Sequence, residues 1–106
     1  MSERKTVIES ERAERRWGFI GCGQMATALA KGMLRGGLAP SASICASDPL
    51  APARSRFHQS TDCPVFESNR EIAERSDVLI LAVKPQVMTE VLVELRPAVT
   101  PDHLVV

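Results

Sequence analysis

The chain has 106 residues, 44% of them hydrophobic, and its formal net charge at neutral pH is zero. This length supports one small domain, and the apolar fraction is sufficient for a core, which excludes wholesale disorder. No basic patch indicates a nucleic-acid partner, and no apolar run approaches the roughly 20 residues that span a bilayer. We therefore expect neither a nucleic-acid nor a membrane partner.

The charged residues at the amino terminus and the cysteines both bear on the cellular compartment. Residues 1–16 interleave acids with arginines, whereas organelle transit peptides avoid acids, so we expect a flexible charged tail, or a loose surface helix, without a targeting signal. The three cysteines, Cys22, Cys45 and Cys63, have neither paired nor metal-ligand spacing. Free thiols are typical of a reducing compartment, which predicts a cytoplasmic protein.

The most informative stretch is a glycine loop between a strand and a helix. The apolar run 17–20 leads directly into Gly21-x-Gly23-x-x-Ala26, and helix-forming residues follow. In this pattern Gly21 allows a tight turn, Gly23 leaves room for a pyrophosphate near the backbone, and Ala26 keeps the helix close to the strand. Unpaired N–H groups at the helix start then favour an anion. The pattern predicts dinucleotide binding.

The helix after the loop has a four-residue apolar repeat. Met25, Leu29 and Met33 form a stripe that we expect to pack on the sheet, with Gly32 beside it for close helix–strand contact. Gly36-Gly37 ends this helix.

The remaining elements alternate between strands and helices. Strands are predicted over 43–47, 64–66, 78–83 and 104–106, and helices over 53–59 and 69–75. The first of these helices is expected to be short and weak because of Pro52, whereas Ser68 caps the second. The unbroken apolar run 78–83 is typical of a strand buried on both faces. A last helix presents Val87, Val91, Leu92 and Leu95 on one face.

This alternation predicts an α/β fold, a Rossmann-type doubly wound parallel sheet with strand order 3-2-1-4-5. The domain is expected to span residues 17–106. Because the chain ends on three apolar residues in a strand, we expect a sheet truncated after about five strands, an amino-terminal piece of a larger protein.

Ligands of such sheets bind outside the carboxyl ends of the central strands. That rule selects Gly21 to Met25, Ser47, Asp48 and Val83-Lys84-Pro85. Asp48 is placed to accept hydrogen bonds from an adenosine ribose, which favours NAD, or to cap a turn before Pro49. Alternatively, Ser47, Arg54 and Arg56 hold the 2′-phosphate of NADP.

No catalytic or metal-binding arrangement emerges from the sequence. Lys84 precedes a proline at a strand end, where it is expected to shape the backbone around the cofactor rather than act in catalysis. His58 and His103 lack an evident acidic partner, and Cys22 is expected to be a small filler. We expect surface positions for both histidines.

Four segments together resemble the amino-terminal half of pyrroline-5-carboxylate reductase. They are 18–26, 47–49, 76–78 and 82–86, and the Ala-Val-Lys-Pro-Gln element of the last is the most discriminating. The resemblance covers 17–106. It implies hydride transfer from NADPH or NADH to the imine carbon of 1-pyrroline-5-carboxylate, giving proline.

The resemblance also implies roles for site residues. The pyrophosphate would be lined by Ile20, Gly21, Cys22, Gly23, Gln24 and Met25. The cofactor would also contact Asn69. The nicotinamide would lie along Ala82, Val83, Lys84 and Pro85. The family commonly uses NADPH, while Asp48 leaves NADH open. We expect this chain to lack the family's helical substrate and dimerisation domain, so a homo-oligomer is expected only for a full-length form.

Two alternatives remain open. One is a non-catalytic module that binds NAD(P), and the other is a related imine or β-hydroxyacid dehydrogenase that shares this domain.

Overall fold

The computed structural model describes residues 15–106; the predicted tail lies outside the described residues except for its last two positions. Within the described residues, five strands alternate with four helices, in the order β1 Trp17–Ile20, α1 Gln24–Arg35, β2 Ile44–Ser47, α2 Ala51–Thr61, β3 Val65–Phe66, α3 Asn69–Arg75, β4 Val78–Leu81, α4 Pro85–Leu95 and β5 Leu104–Val105. A short 3-10 turn, Ser41–Ser43, precedes β2. Within this range, no helix has both the length and the apolar content to cross a bilayer.

All strand pairings are parallel, and the strand order is β3-β2-β1-β4-β5. In the central register, Phe19 of β1 lies opposite Ala46 on one side and Ile80 on the other. The predicted α/β class and the strand order 3-2-1-4-5 are therefore confirmed. The order reverses between β1 and β4, which places a crevice at their carboxyl ends.

Two apolar clusters form the core, one on each face of the sheet. Helices α1 and α2 cover Phe19, whose ring lies 6.2 Å from that of Phe57 between centroids. Helices α3 and α4 cover the opposite face, where Ile72 and Leu95 pack around Ile20 and Leu79. Helices on both faces explain why the strands are apolar without alternation.

The predicted packing face of α1 is wrong for Met25 and Leu29, whereas Met33 packs against the core cluster as predicted. Ala26 and Ala30 are fully buried against the sheet, whereas Met25 and Leu29 are 58% and 45% exposed. Two small side chains let the helix axis approach the sheet, and the longer side chains then lie on the outer surface. Gly32 does not make the close contact expected of it, because a Cβ atom there would meet no atom within 4 Å.

The predicted end of α1 is confirmed. Gly37 has a φ of +70° and donates its N–H to the Leu34 carbonyl at 3.2 Å, while Leu38 donates to Met33 at 2.9 Å. These two bonds are those of a Schellman motif, in which glycine readily adopts the left-handed conformation.

Helix α2 is longer than predicted. It begins at Ala51, with Pro52 inside its first turn, and ends at Thr61. Proline is tolerated there because the N–H it lacks would have no intrahelical partner. The predicted weak helix over 53–59 was too short, because the prediction assumed that Pro52 prevents an earlier start and did not allow proline in the first turn.

The fourth strand and its helix differ in detail from prediction. β4 ends at Leu81, and Ala82 and Val83 follow it half-buried, because the chain turns there to begin α4 at Pro85. Of the predicted apolar face of α4, Val91 and Leu95 are buried, while Val87 and Leu92 are exposed.

His103 was expected at the surface, but it is partly buried near the start of β5. Its Nε2 lies 2.8 Å from the Ala73 carbonyl, and its Nδ1 accepts the Thr100 N–H at 3.0 Å. Since Nδ1 accepts, the ring proton lies on Nε2, which donates to Ala73. His58 is exposed, as predicted, with Nδ1 2.8 Å from the Cys63 carbonyl.

Candidate dinucleotide site

The glycine loop begins with a turn that only glycine fits. Gly21 has a φ of +110°, and a Cβ atom at this position would lie 2.7 Å from the Ala82 carbonyl oxygen. Its N–H donates to the Ser47 carbonyl at 2.7 Å, and the Ala82 N–H donates to the Ile20 carbonyl at 2.9 Å. The loop is thereby held between the carboxyl ends of β2 and β4.

Gly23 and the start of α1 form an open, uncapped helix terminus. Gly23 is the N-cap residue with a φ of −76°, and among residues 15–106 no side chain caps the helix or contributes an acid to its first turn. A Cβ atom on Gly23 would meet nothing within 4 Å, so the space beside the loop is open. Uncapped N–H groups and the helix dipole favour an anion at this position.

Asp48 connects the glycine loop to the turn after β2. Its Oδ2 accepts the Cys22 N–H at 3.0 Å, and its Oδ1 accepts the Leu50 N–H at 3.0 Å. Arg54 donates from Nη1 to the Asp48 carbonyl at 2.7 Å. The predicted turn-capping role of Asp48 is confirmed by the bond to Leu50, and the carboxylate additionally fixes the loop.

Ser47 and Asn69 are joined at the β2 side of the crevice. The fully buried Ser47 hydroxyl donates to Asn69 Oδ1 at 2.6 Å, and Asn69 Nδ2 donates to Glu94 on α4 at 3.2 Å. Asn69 is the first residue of α3, but its N-cap is Ser68, whose hydroxyl accepts the Glu71 N–H. Asn69 therefore does not serve as the helix cap, and its amide side chain is held at the crevice instead.

The segment after β4 lies on the other side of the glycine loop. Ala82 and Val83 are half-buried, Lys84 is the exposed N-cap residue of α4, and Pro85 begins that helix. Ala82 packs with the core cluster on the α1 side of the sheet and Val83 with the other cluster. The structure thus brings the three predicted groups, from the glycine loop, β2 and β4, to one edge of the sheet.

Two side chains near this edge were not singled out from the sequence. Glu94 holds Asn69, and Lys31 lies with Gln24 and Thr27 beside the loop. The positions 24, 27 and 31 recur at helical spacing, and this polar stripe was the available signal for the second group. Glu94 has no such signal, because its contact spans 25 residues and two elements.

Cys22 has the properties of an unreactive thiol that fills space in the core. Burial raises the pKa of its thiol to about 12, the Asp48 carboxylate acts in the same direction, and Arg54 opposes them. Burial also raises the pKa of Cys45 and of Cys63. All three are free cysteines, and each is buried.

We predict a loss of stability at alkaline pH from these thiols. Above pH 9, the ordinary thiol pKa, the unfolded chain releases protons that the folded chain retains. The contribution of the protonated thiol to the free energy of unfolding is therefore fully present below pH 9. It is lost as pH rises towards 12, by up to about 1.4 kcal/mol per pH unit for one thiol. Urea unfolding at pH 8, 9 and 10 measures this, and Cys22→Ala should flatten the dependence. An equally steep loss in that variant would contradict the assignment.

The parallel sheet, the glycine loop at its crevice and the uncapped helix behind it define a Rossmann-type α/β domain of the dinucleotide-binding class. The sequence pattern of the family described as NADP oxidoreductase, coenzyme F420-dependent, matches residues 16–106. The chain belongs to that family.

Individual relatives carry more specific names than the description of the family. The chain is 38% identical over 92 residues to pyrroline-5-carboxylate reductase 3 of Rattus norvegicus, covering 87% of this chain and 33% of the relative. It is 43% identical over 88 residues to pyrroline-5-carboxylate reductase of Pseudomonas aeruginosa, covering 83% and 32%. The crystal structure of Plasmodium falciparum pyrroline carboxylate reductase with NADP bound superimposes with a TM-score of 0.73 at 27% identity, covering 87% and 32%. The chain spans about a third of the length of these relatives.

Proposed function

We propose that this chain is the cofactor-binding part of an NAD(P)H-dependent oxidoreductase that reduces 1-pyrroline-5-carboxylate to L-proline. The observation that carries this proposal is the open glycine loop, held at the crevice by β2 and β4, in a chain 36–43% identical to reductases of that name. The chemistry resides in the cofactor, which the protein must bind and orient.

The roles proposed for the site follow the three groups at the crevice. The diphosphate of NADP or NAD lies on Ile20 to Met25, where N–H groups of α1 are uncapped. The adenosine lies beside Ser47, Asp48 and Asn69, and the nicotinamide lies along Ala82, Val83, Lys84 and Pro85. No residue of this chain is assigned to imine recognition or proton delivery.

The proposal extends to compartment and assembly. Buried, unpaired cysteines are consistent with a reducing compartment, and we propose a cytoplasmic location. We further propose that a form as long as the relatives is a homo-oligomer.

Two proteins, the chain alone and a chimera, test the function. The 106-residue chain alone is expected to bind NADPH weakly, as measured by dinucleotide fluorescence, and to form no proline. A chimera that joins it to the carboxyl-terminal two thirds of the Pseudomonas aeruginosa relative is expected to oxidise NADPH only when 1-pyrroline-5-carboxylate is present. The matched control is the same chimera with Gly23→Leu.

Other outcomes would favour other functions. Proline formation by the 106-residue chain alone would contradict its role as the cofactor part only. A chimera that folds and binds NADPH, but is inactive, would favour a non-catalytic NAD(P)-binding module. Reduction of other imines or hydroxyacids in preference to 1-pyrroline-5-carboxylate would favour a related dehydrogenase. Absence of dinucleotide binding in both the 106-residue chain and the chimera would contradict the proposal.

A further inference from the structure

A chain of hydrogen bonds runs from the glycine loop through β2 and α3 to α4. The Gly21 N–H donates to the Ser47 carbonyl at 2.7 Å, and the fully buried Ser47 hydroxyl donates to Asn69 Oδ1 at 2.6 Å. Asn69 Nδ2 in turn donates to Glu94 Oε2 at 3.2 Å. The Asn69 side chain is therefore held from two sides, by a strand and by a neighbouring helix.

The position of Glu94 follows from the way in which α3 and α4 pack together on the sheet. Ile72, three residues after Asn69 on α3, and Leu95, next to Glu94 on α4, are buried in the same apolar cluster. The Glu94 side chain itself is exposed. Because the backbone is anchored on both sides of the contact, the carboxylate is brought to Asn69 by the packing of its helix.

The charge of Glu94 is unexpected beside a residue proposed to contact a phosphate-bearing cofactor. No ion pair found within residues 15–106 includes Glu94. A carboxylate without a cation opposes the approach of a polyanion. Its hydrogen bond to Asn69 gives this side chain a function that its charge alone does not.

The carboxylate determines which end of the Asn69 amide faces which neighbour. A hydroxyl both donates and accepts, so Ser47 can bind either end of the amide. An ionised carboxylate only accepts, so Glu94 requires Nδ2 on its side and thereby turns Oδ1 towards Ser47. In this orientation the amide retains one N–H hydrogen and one lone pair of Oδ1 for a ligand.

Resting on the proposed dinucleotide function, we propose that Glu94 is a positioning residue for the cofactor. It acts through Asn69: its carboxylate fixes the orientation in which the amide meets the adenosine ribose, with one donor and one acceptor. Without this carboxylate, the amide is free to turn and must be ordered when the cofactor binds. Ordering of this kind weakens binding by about two- to tenfold.

The test is a fluorescence titration of NADPH into the 106-residue chain and into the chimera with the Pseudomonas aeruginosa relative. Glu94→Met keeps the length of the side chain but removes the acceptor, and it should weaken binding about fivefold. The matched control is Glu90→Met, which removes the same charge from an exposed position one turn earlier on α4. It should bind NADPH at least as tightly as the original chain, and neither variant should change the melting temperature.

Two further variants separate positioning from charge and from packing. Glu94→Gln restores an acceptor at the same position, so its affinity for NADPH should stay within about twofold of the original. Asn69→Ala should itself weaken binding about fivefold, because a hydrogen-bonding group at the cofactor is lost. Adding Glu94→Met to Asn69→Ala should then change the affinity by less than about twofold, since residues that act as one unit have non-additive effects.

The outcomes separate this inference from the function on which it rests. Unchanged NADPH affinity in Glu94→Met or in Asn69→Ala would overturn it and leave dinucleotide binding standing. Equal losses in Glu94→Met and Glu94→Gln, or an undiminished effect of Glu94→Met in the Asn69→Ala background, would also overturn it, because Glu94 would then act by charge or by packing. Failure of both the original chain and the original chimera to bind NADPH would refute the proposed function together with this inference.

Discussion

Replacing Gly23 with leucine is expected to abolish dinucleotide binding while leaving the fold intact. The backbone of Gly23 has a φ of −76°, which any L-residue adopts, and a Cβ atom there meets nothing within 4 Å. The fold therefore tolerates the side chain. The same open space is where a diphosphate would approach the uncapped helix, and a leucine side chain would fill it. We expect at least about a 100-fold loss of NADPH affinity, about 2.8 kcal/mol, in a fluorescence titration.

Gly32→Leu is the matched control, because this glycine lies in the same helix and also faces open space. It should retain NADPH affinity. The far-ultraviolet circular dichroism and melting temperature of the Gly23 variant should match those of the original chain. Unchanged affinity in Gly23→Leu would remove the loop from the binding site, and loss of fold would contradict the open space seen beside it.

Replacing Gly18 with alanine is expected to destabilise the fold more than any other glycine-to-alanine change outside the glycine loop. A Cβ atom on Gly18 would lie 2.2 Å from Ser76 Oγ and 2.5 Å from Ile72 Cγ2. These atoms belong to the end and the core-facing side of α3, which is packed on the strand, so they cannot move freely. Overpacking of this kind costs about 1–3 kcal/mol, and we expect the upper end of that range in urea unfolding.

A double-mutant cycle identifies the cause. Ser76→Gly removes both of the Ser76 atoms that the new Cβ would meet, so the double variant should lose less stability than the sum of the two single changes. Gly32→Ala, in an exposed helix interior, should instead stabilise the chain by up to about 1 kcal/mol. Additive losses in the cycle, or a neutral Gly18→Ala, would contradict close packing of α3 on β1.

The strand–loop–helix start of the domain could be predicted from local pattern alone. An apolar run followed by Gly21-x-Gly23-x-x-Ala26 has few physical interpretations, because this spacing of small residues is typical of a phosphate-binding turn between a strand and a helix. The alternation of later elements then determined the order of the parallel strands, since right-handed crossovers leave few topologies. The sequence was therefore sufficient for the fold class and for the strand order, whereas the position of the site stays a prediction.

The packing partners depended on the tertiary structure. Periodicity places Met25 and Leu29 on one side of α1, but it does not say how closely the helix approaches the sheet. The buried alanines Ala26 and Ala30 decide that distance, so the larger side chains lie outside. Gly18 and Gly32 are equally small, yet only Gly18 faces another element, and residues more than 50 positions away make that contact.

The candidate site likewise has features that the sequence determines and features that depend on the tertiary structure. The sequence by itself determined which residues stand at the carboxyl ends of β1, β2 and β4, because chain order and strand period set those positions. Only the tertiary structure decided that Asp48 holds the glycine loop, that Glu94 holds Asn69, and that Lys31 and Arg56 line one cleft. Those contacts join separate elements, and their geometry follows from how the helices pack on the sheet rather than from any local pattern.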